Sequence, residues 1–283
     1  MSDLNCTLHS LYVHPIKSCA GISVRSHLLV ETGLELDRAW MLVDERGEFV
    51  TQRELPRLAL IQPTLRHDDM VLRAPGMLAL HLSLDRVESP LNVRVWDDWV
   101  PAWDMGALAA QWCSDFAGRA LRLVRFDPEH RRLSERRWTG EHEAQTAFAD
   151  GFALLVTSTA SLAELNRRLQ LQGAAAVEMN RFRPNLVLDG IDAHDEDHID
   201  SLDIDTPQGT VQLKLVKPCA RCSIPGVDPG TGTQGCEVPD ALAAYRSDPR
   251  VDGAVTFGMN AIVVSGIEHM LAVGQAGRAR FGF

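Results

Sequence analysis

Short β-type segments follow one another along most of this chain, and this succession constrains the fold more than any other feature. Residues 8–13 and 211–216 alternate apolar and polar side chains, which is the period of a half-buried strand. Residues 39–43 form a continuous apolar run that is typical of a buried strand. Helical patterns are short and unevenly spaced, which argues against the regular strand–helix alternation of a doubly wound α/β fold. We therefore predict a mainly β fold (α+β), with barrels or sandwiches and short appended helices.

Helical spacing of apolar residues predicts helices over residues 106–116, 161–171 and 239–245. Gly118 stops the first helix, and Ser161 with Glu164 has the spacing of a capping box for the second. The third has proline in its first turn.

A polar and charged stretch over residues 127–150 separates two parts of the chain. We interpret this stretch as a linker or long loop. It predicts two domains, a β-rich domain over residues 1–126 and a β-barrel domain over residues 127–283.

Composition and charge exclude several classes of protein. The net charge of -10 argues against sequence-independent binding of nucleic acid, because phosphate contacts require clustered cations. No apolar run approaches the ~20 residues of a membrane helix, and the N-terminus lacks the pattern of a secretory signal. The six cysteines are too sparse for a disulfide scaffold. We therefore expect a cytoplasmic protein with reduced thiols that binds neither nucleic acid nor a membrane.

The most informative motif lies in residues 217–232, KPCARCSIPGVDPGTG. Cys219 and Cys222 have the spacing of zinc, iron–sulfur and thiol–disulfide sites. However, no second pair completes a four-ligand site, and no helical pattern follows as in a thioredoxin-type site. Two alternatives stay open. One is a thiolate that ligates a metal bound mainly by another group, with Arg221 favouring the thiolate form; the other is two ordinary reduced cysteines at a strand end.

Two other patterns carry less weight. Residues 230–235 (GTGTQG) match the glycine spacing of a dinucleotide-binding turn, but no apolar strand precedes them and no helical pattern follows. Residues 194–198 (HDEDH) suggest a metal cluster, but they lack the glutamate of the H-E-x-x-H zinc motif and lie in a run of acidic residues. We interpret the second pattern as a solvated acidic loop.

Cationic residues stand beside several apolar segments. Examples are Lys17, Arg38 and Arg183. Arginine and lysine are seldom buried unless they are paired, so an acidic chain that places them at strand ends can gather a small anion such as phosphate. The alternative is a set of local ion pairs, for example between Arg38 and neighbouring acids.

Together these residues resemble the MOSC-domain family of molybdenum-cofactor proteins, which includes the mitochondrial amidoxime-reducing component and bacterial hydroxylaminopurine-resistance reductases. Five short motifs occur in the family's order, and the resemblance spans residues 7 to about 280. They are YVHPIKSCAG (12–21), DRAW (37–40), TQRELPRL (51–58), RFRPN (181–185) and the C-x-R-C segment with its DPGTG tail (219–232). The resemblance implies a MOSC_N-like domain over residues 1–126, a MOSC β-barrel domain over residues 127–283, and a cofactor between them.

The resemblance also implies site residues. Cys222, the second cysteine of C-x-R-C, is implied as the molybdenum ligand and as a catalytic residue. Asp228 is implied as a second catalytic residue, an acidic one near the metal. The residues implied to hold the pterin cofactor are Lys17, Ser18, Arg38, Thr157, Ser158, Arg183, Asn185, Cys219, Ala220, Arg221 and Cys222.

The implied activity is reduction of small N-hydroxylated or N-oxide compounds by means of the molybdenum cofactor (Mo-molybdopterin). Some bacterial relatives carry a ferredoxin-like domain with four cysteines, and no cysteine-rich segment follows Cys236 here. We therefore expect the electrons to come from a separate ferredoxin- or flavin-type protein. One alternative is a non-catalytic carrier of the cofactor or of sulfur, with a persulfide on Cys222 or Cys219. Another is a structural zinc protein.

Overall fold

The computed structural model describes residues 4–282, and within them the prediction of a mainly β fold is confirmed. The strands are β1 (Leu4–Val13), β2 (Ile22–Val24), β3 (Ser26–Val30), β4 (Gly33–Leu34), β5 (Trp40–Val43), β6 (Gln62–Leu65), β7 (Asp69–Arg73), β8 (Leu80–Ser83), β9 (Pro90–Val95), β10 (Asp98–Asp104), β11 (Arg122–Phe126), β12 (Leu154–Ser158), β13 (Leu186–Asp189), β14 (Ile199–Thr206), β15 (Gly209–Ala220), β16 (Ser247–Asp248), β17 (Ala254–Ser265), β18 (Met270–Ala272) and β19 (Ala276–Phe281). The α-helices are α1 (Ala107–Ala117), α2 (Arg136–Thr139), α3 (Thr159–Leu171) and α4 (Glu237–Ala243). No helix in the described part is long and apolar enough to cross a membrane.

Seven strands close into a barrel. Their order is β12, β13, β1, β19, β14, β15 and β17, and β17 pairs back with β12. The β12–β13 pair is parallel, and the other pairs of the barrel are antiparallel. Alternate residues of these strands fill the interior, where Leu11, Leu202 and Leu213 are fully buried. The barrel therefore forms one continuous apolar core.

Strands β5 to β11 form the second part of the molecule, whereas β2 pairs with β1 and β3 pairs with β18 on the barrel side. Strands β5, β11, β10 and β9 make one antiparallel sheet, and β6, β7 and β8 make a smaller one. Helix α1 packs beside them, so that Trp40, Leu58 and Phe116 share a core. The first strand, β1, lies within the predicted N-terminal domain but pairs with β13 and β19 of the barrel.

Helices α1, α3 and α4 agree with the predicted positions except at their ends, whereas α2 lies in the stretch interpreted as a linker. Helix α1 ends at Gly118, whose φ of 72° is the left-handed conformation that glycine adopts most easily. Helix α3 begins two residues before the predicted start, because the hydroxyl of Ser158, and not that of Ser161, caps it by accepting from the Ser161 amide at 3.1 Å. Helix α4 also begins and ends two residues earlier than predicted.

The acidic segment 194–198 differs from the prediction of a solvated loop, which is wrong for Glu196 and Asp197. These side chains lie in a short 3-10 helix and are 0% and 6% exposed. Both carboxyl oxygens of Glu196 accept hydrogen bonds, from the hydroxyls of Ser158 (2.9 Å) and Ser161 (2.6 Å). The charge pattern could not reveal these partners, since they come from another part of the chain.

Candidate functional site

A cavity of about 730 Å³ lies between the barrel and the N-terminal sheets. Its wall brings together nine of the eleven residues that the resemblance assigns to cofactor binding. They are Lys17, Ser18, Arg38, Arg183, Asn185, Cys219, Ala220, Arg221 and Cys222. Residues that are up to about 200 positions apart in the sequence thus line one cavity.

The backbone around β1 and β5 positions the first of these residues. The amide of Lys17 donates to the carbonyl of Trp40 at 2.8 Å, and the amide of Arg38 donates to the carbonyl of His14 at 2.8 Å. Ser18, Arg38 and Arg183 have φ values of 67°, 48° and 57°. Left-handed backbone costs a residue other than glycine about 1–2 kcal/mol, so the surrounding contacts impose this conformation at three positions of the cavity wall.

Arg38 and Asn185 tie the two parts of the molecule together. The guanidinium of Arg38 donates to the carboxylate of Asp37, to the side-chain oxygen of Asn185 (3.0 Å) and to the carbonyl of Arg183 (2.9 Å). The Asn185 amide also bonds β1 and β12, since its oxygen accepts from the Leu155 amide at 3.1 Å and its nitrogen donates to a β1 carbonyl. Asn185 therefore positions Arg38 and closes the wall, and its side chain is already occupied by protein contacts.

Arg183 has unused hydrogen-bonding capacity. Its Nη1 donates to the carbonyl of Cys19, but its Nη2 is shielded from solvent and has no partner within residues 4–282. Burial, and secondarily the charge of Arg38, lowers the pKa of Arg183 to about 10, so Arg183 stays protonated at neutral pH. An unpaired buried donor costs about 1–3 kcal/mol, which favours a ligand that accepts a hydrogen bond here.

His14 lies behind these two arginines and is almost fully buried. Burial, followed by the charges of Arg183 and Arg38, lowers the pKa of His14 well below its ordinary value. The ring is therefore neutral, and its Nε2 donates to the carbonyl of Pro184 at 2.9 Å. A neutral ring at this position avoids a third positive charge beside the two guanidinium groups.

Lys17 contacts the opposite wall of the cavity. Its ammonium group donates to the carbonyl of Phe148 at 2.7 Å and to the carboxylate of Asp150 at 2.5 Å. Burial lowers the pKa of Lys17, and the charge of Asp150 opposes this effect. Asp150 also accepts from the indole nitrogen of Trp96 at 3.2 Å and lies 3.7 Å from the guanidinium of Arg53.

The two cysteines of the C-x-R-C motif have different environments. Cys219 is half-buried, and its sulfur accepts from Nη1 of Arg221 at 3.0 Å. Nη2 of the same arginine donates to the carbonyl of Phe182 at 3.0 Å, which fixes the end of β15 against the segment before Arg183. Cys222 is exposed and lines the cavity. Of the two thiols, that of Cys222 is the more accessible to a ligand.

Thr157 and Ser158 are fully buried and do not line the cavity. The hydroxyl of Thr157 donates to the sulfur of Met179 at 3.3 Å, and that of Ser158 caps α3 and bonds Glu196. The geometry therefore gives no support to cofactor contacts from these two residues.

Asp228, implied as a residue near the metal, lines a neighbouring cavity of about 560 Å³. Its carboxylate accepts from the amides of Gly230 (2.8 Å) and Thr231 (3.0 Å) and pairs with Arg181 at 2.8 Å. These contacts hold the loop that follows Cys222 against the segment that leads to Arg183. The arrangement is that of a positioning residue.

Sequence reasoning missed several residues of the cavity wall, including Trp96, Arg132, Ser134 and Asp150. Arg132 is 7% exposed and donates to the carbonyls of Ala147 (3.0 Å) and Ala149 (2.7 Å). The stretch 127–150, interpreted as a linker, thus folds into the wall. The sequence feature that could have revealed this role is the high arginine content of the stretch, but that feature predicts a solvated surface equally well.

The cavity has a surplus of positive charge in an acidic protein. Seven cationic side chains line it, and four acidic ones (Asp97, Asp98, Glu135 and Asp150) accompany them, although the whole chain has a net charge of -10. Like Arg183, Ser134 has a buried polar side-chain atom, its hydroxyl oxygen, without a partner in the described part of the chain. The wall therefore suits an anionic ligand.

The described residues contain no group of three or more His, Cys, Asp or Glu side chains arranged to hold a metal ion. The structural zinc alternative thus finds no ligand set between residues 4 and 282. A metal at Cys222 would need further ligands from a bound group.

Comparisons with known proteins identify the family of this chain. The profile of the MOSC N-terminal beta barrel domain matches residues 5–120, and that of the MOSC domain matches residues 143–277. The chain is 36% identical over 250 residues to mitochondrial amidoxime reducing component 2 of Bos taurus, covering 85% of this chain and 72% of that protein. It is 34% identical to mitochondrial amidoxime-reducing component 1 of Homo sapiens over 86% of this chain and 73% of that protein. It is 30% identical to molybdenum cofactor sulfurase of Homo sapiens over 88% of this chain and 29% of that protein. The chain therefore belongs to the MOSC domain family, in the group that includes the mitochondrial amidoxime reducing components.

Proposed function

We propose that this chain is a molybdenum-cofactor-dependent reductase of small N-hydroxylated or N-oxide compounds and that it acts in the cytoplasm. The observation that carries the proposal is one cavity that combines a surplus of cations with the exposed thiol of Cys222. The similarity to amidoxime reducing components supports the substrate class. The name of the related molybdenum cofactor sulfurase supports the cofactor.

The residues present fit such a cofactor. Lys17, Arg38 and Arg183 would hold its phosphate group, and the unpartnered Nη2 of Arg183 offers a donor for it. The Cys222 thiolate is a soft ligand, which suits a metal whose other sulfur ligands come from a dithiolene.

When bound, the cofactor supplies a two-electron redox centre that removes the oxygen atom from the N–O bond. The overall reaction consumes two electrons and two protons and converts the N-hydroxyl group into N–H and water. The role of this chain is to hold and orient the cofactor and to admit the substrate. We propose that a separate ferredoxin- or flavin-type protein delivers the electrons.

Expression in a host that makes the cofactor tests the proposal. We expect molybdenum by elemental analysis, the fluorescence of released pterin, and turnover of an amidoxime with a viologen dye as electron donor. NADH alone should support no turnover. Cofactor-loaded protein that reduces no N-hydroxylated compound with the dye would contradict the proposal, and substantial NADH-driven turnover would contradict the separate donor.

A non-catalytic carrier of cofactor or sulfur is the second candidate, and the similarity to molybdenum cofactor sulfurase favours it. In that function Cys222, or Cys219, would hold a persulfide. A carrier should lose its cofactor readily during purification and should show no turnover with the dye. A reductase should retain the cofactor.

A further inference from the structure

Trp96 stands at the mouth of the cavity, at the turn between β9 and β10. Among the residues that line the cavity, Trp96 and Leu133 are the exposed large apolar side chains, at 44% and 49%. The inner wall presents Lys17, Arg38 and Arg183. The apolar part of an organic molecule in this cavity therefore finds its exposed apolar contacts at the mouth.

Four contacts hold Trp96 in place although it is partly exposed. The guanidinium of Arg53 lies 4.7 Å from the centre of the indole ring, and Phe49 packs against the ring in an edge-to-face arrangement at 5.1 Å. The indole nitrogen donates to Asp150 at 3.2 Å, and the Trp96 carbonyl accepts from Nε of Arg94 at 2.9 Å. The ring is thus held in one orientation before any ligand arrives, which lowers the entropic cost of binding against it.

The backbone of Trp96 adds a second observation. Its φ is 57°, in the left-handed region that a bulky residue rarely adopts. Asparagine or glycine would fit such a turn with less strain. The contacts of the tryptophan side chain therefore have to offset this backbone cost.

We propose that the accessible part of the Trp96 ring is a stacking subsite that makes the site prefer aromatic N-hydroxylated substrates over aliphatic ones. The proposal rests on the proposed reductase function and specifies its substrate class. Arg53 and Phe49 cover part of the indole, and the remaining exposed surface of the ring is flat and apolar, as stacking of a planar aryl group requires. Such aromatic pairs contribute about 0.5–1.5 kcal/mol beyond their buried area.

Two substrates and three variants test this subsite. Benzamidoxime carries a phenyl ring where acetamidoxime carries a methyl group, and the reacting N–O group is the same. In Trp96→Leu, kcat/KM for benzamidoxime should fall about two- to tenfold, as loss of one aromatic pair predicts, while the value for acetamidoxime changes much less. Trp96→Phe keeps a ring and should retain most of the preference. Trp99→Leu is the matched control, since Trp99 is 60% exposed in the same hairpin but does not line the cavity.

An equal loss for both substrates in Trp96→Leu would overturn the proposal, because it would show that Trp96 only supports Asp150 and Arg53. A loss of preference in Trp99→Leu would overturn it as well.

Binding without turnover separates this proposal from the proposed function. The indole N–H signal of Trp96 can be assigned in the NMR spectrum of ¹⁵N-tryptophan-labelled protein by its absence in Trp96→Phe. Benzamidine, the reduced product, should shift this signal, and acetamidine should not. A shift in protein that shows no reductase activity would support the subsite while the proposed reaction fails. An unchanged Trp96 signal in active protein saturated with benzamidine would overturn the subsite alone.

Discussion

The cavity and the segment around Glu196 are two places where this acidic chain shields charged groups from water, and they do so in opposite ways. In the cavity, seven cations face four acids, and Nη2 of Arg183 has no partner within the described residues. In the other region, Glu196 receives two serine hydroxyls, and Asp197 pairs with Arg246 at 2.5 Å.

The difference separates charges that serve binding from charges that serve the fold. A buried ion pair whose partners both come from the chain is complete when the protein folds, and breaking it destabilises the protein. A surplus of positive charge at a cavity has no counter-charge until a ligand binds. Removing one of the cationic side chains therefore weakens ligand binding more than it destabilises the fold. The predictions below test this separation.

The largest effect is expected at Cys222. Cys222→Ser should abolish reductase activity, because it removes the proposed thiolate ligand of the metal. Because Cys222 is exposed, the substitution should not lower the free energy of unfolding. The X-ray absorption of the metal should report one fewer sulfur neighbour. Cys219→Ser is the control, and it should keep the sulfur count and part of the activity, since Cys219 bonds Arg221. Full activity in Cys222→Ser, or loss in Cys219→Ser alone, would reverse the assignment.

In the region around Glu196, Arg246→Met should destabilise the protein more than any other substitution that removes one charge. The side chains of Arg246 and Asp197 are 10% and 7% exposed, and breaking a buried pair from one side costs about 3–5 kcal/mol. Urea unfolding of the purified protein measures this change. The exposed pair of Arg278 and Asp205 provides the comparison, because Arg278→Met should cost at most about 1 kcal/mol. Equal costs for the two variants would mean that burial does not distinguish the pairs.

At the cavity, Arg183→Ala should weaken cofactor binding and leave a folded protein. Loss of one charge-assisted hydrogen bond, about 1.5–3 kcal/mol, corresponds to about a ten- to hundredfold weaker affinity. Cofactor content after dialysis measures it, and Arg183→Lys should also impair binding if the contact is bidentate. If Arg183→Ala unfolds and its folded fraction keeps all its cofactor, the cavity cation belongs to the fold, and the contrast with Arg246 disappears.

The smallest effect is a dependence of stability on pH, with one histidine from each region. Burial lowers the pKa of His194 to about 4, and neither of its ring nitrogens has a partner in the described part. Burial also lowers the pKa of His14, which lies behind the cavity arginines. Both rings are neutral in the folded state, whereas the unfolded chain binds protons below its ordinary histidine pKa of about 6.5. Stability should therefore fall as the pH drops from about 6.5 towards 4, by at most about 1.4 kcal/mol per pH unit for each histidine.

His194→Asn should remove the contribution of His194 to the pH dependence of the free energy of unfolding. Urea unfolding between about pH 6.5 and pH 4 measures this change. The slope has an opposing contribution from the acidic segment. Burial raises the pKa of Glu196 and of Asp197 above the usual values, so their contribution to stability is lost as the pH rises. A slope unchanged in His194→Asn would show that this ring has the same pKa in the folded and unfolded states.

The short sequence motifs predict those site residues whose role depends on residue type and on the neighbouring sequence. Lys17, Arg38, Arg183 and Cys222 lie in short motifs, and all four line one cavity. Ser158 shows where such reasoning ends. A serine directly before a helix serves as its cap, and the apolar pattern does not reveal this role because it predicts the start of α3 two residues too late.

The missed residues depend on contacts between distant segments. Trp96 and Arg132 lie in stretches whose sequence is that of an ordinary turn and an ordinary charged loop. They reach the cavity because β10 and the 127–150 stretch pack together, with Arg132 and Asp98 2.9 Å apart. The prediction that Glu196 is solvated is wrong for the same reason, since its partners Ser158 and Ser161 lie more than 30 positions earlier in the sequence. Local charge patterns do not report such pairings.

The pairing of β1 with β19 has a consequence for how the protein is made. Leu4 lies opposite Ala279, so the barrel joins nearly the first described residue to nearly the last. During synthesis β1 must wait, unpaired on this edge, until β19 has left the ribosome. Contacts of such sequence separation form slowly, and the barrel closes only when they do. A ligand can therefore enter the closed barrel side of the cavity only after β19 has been made.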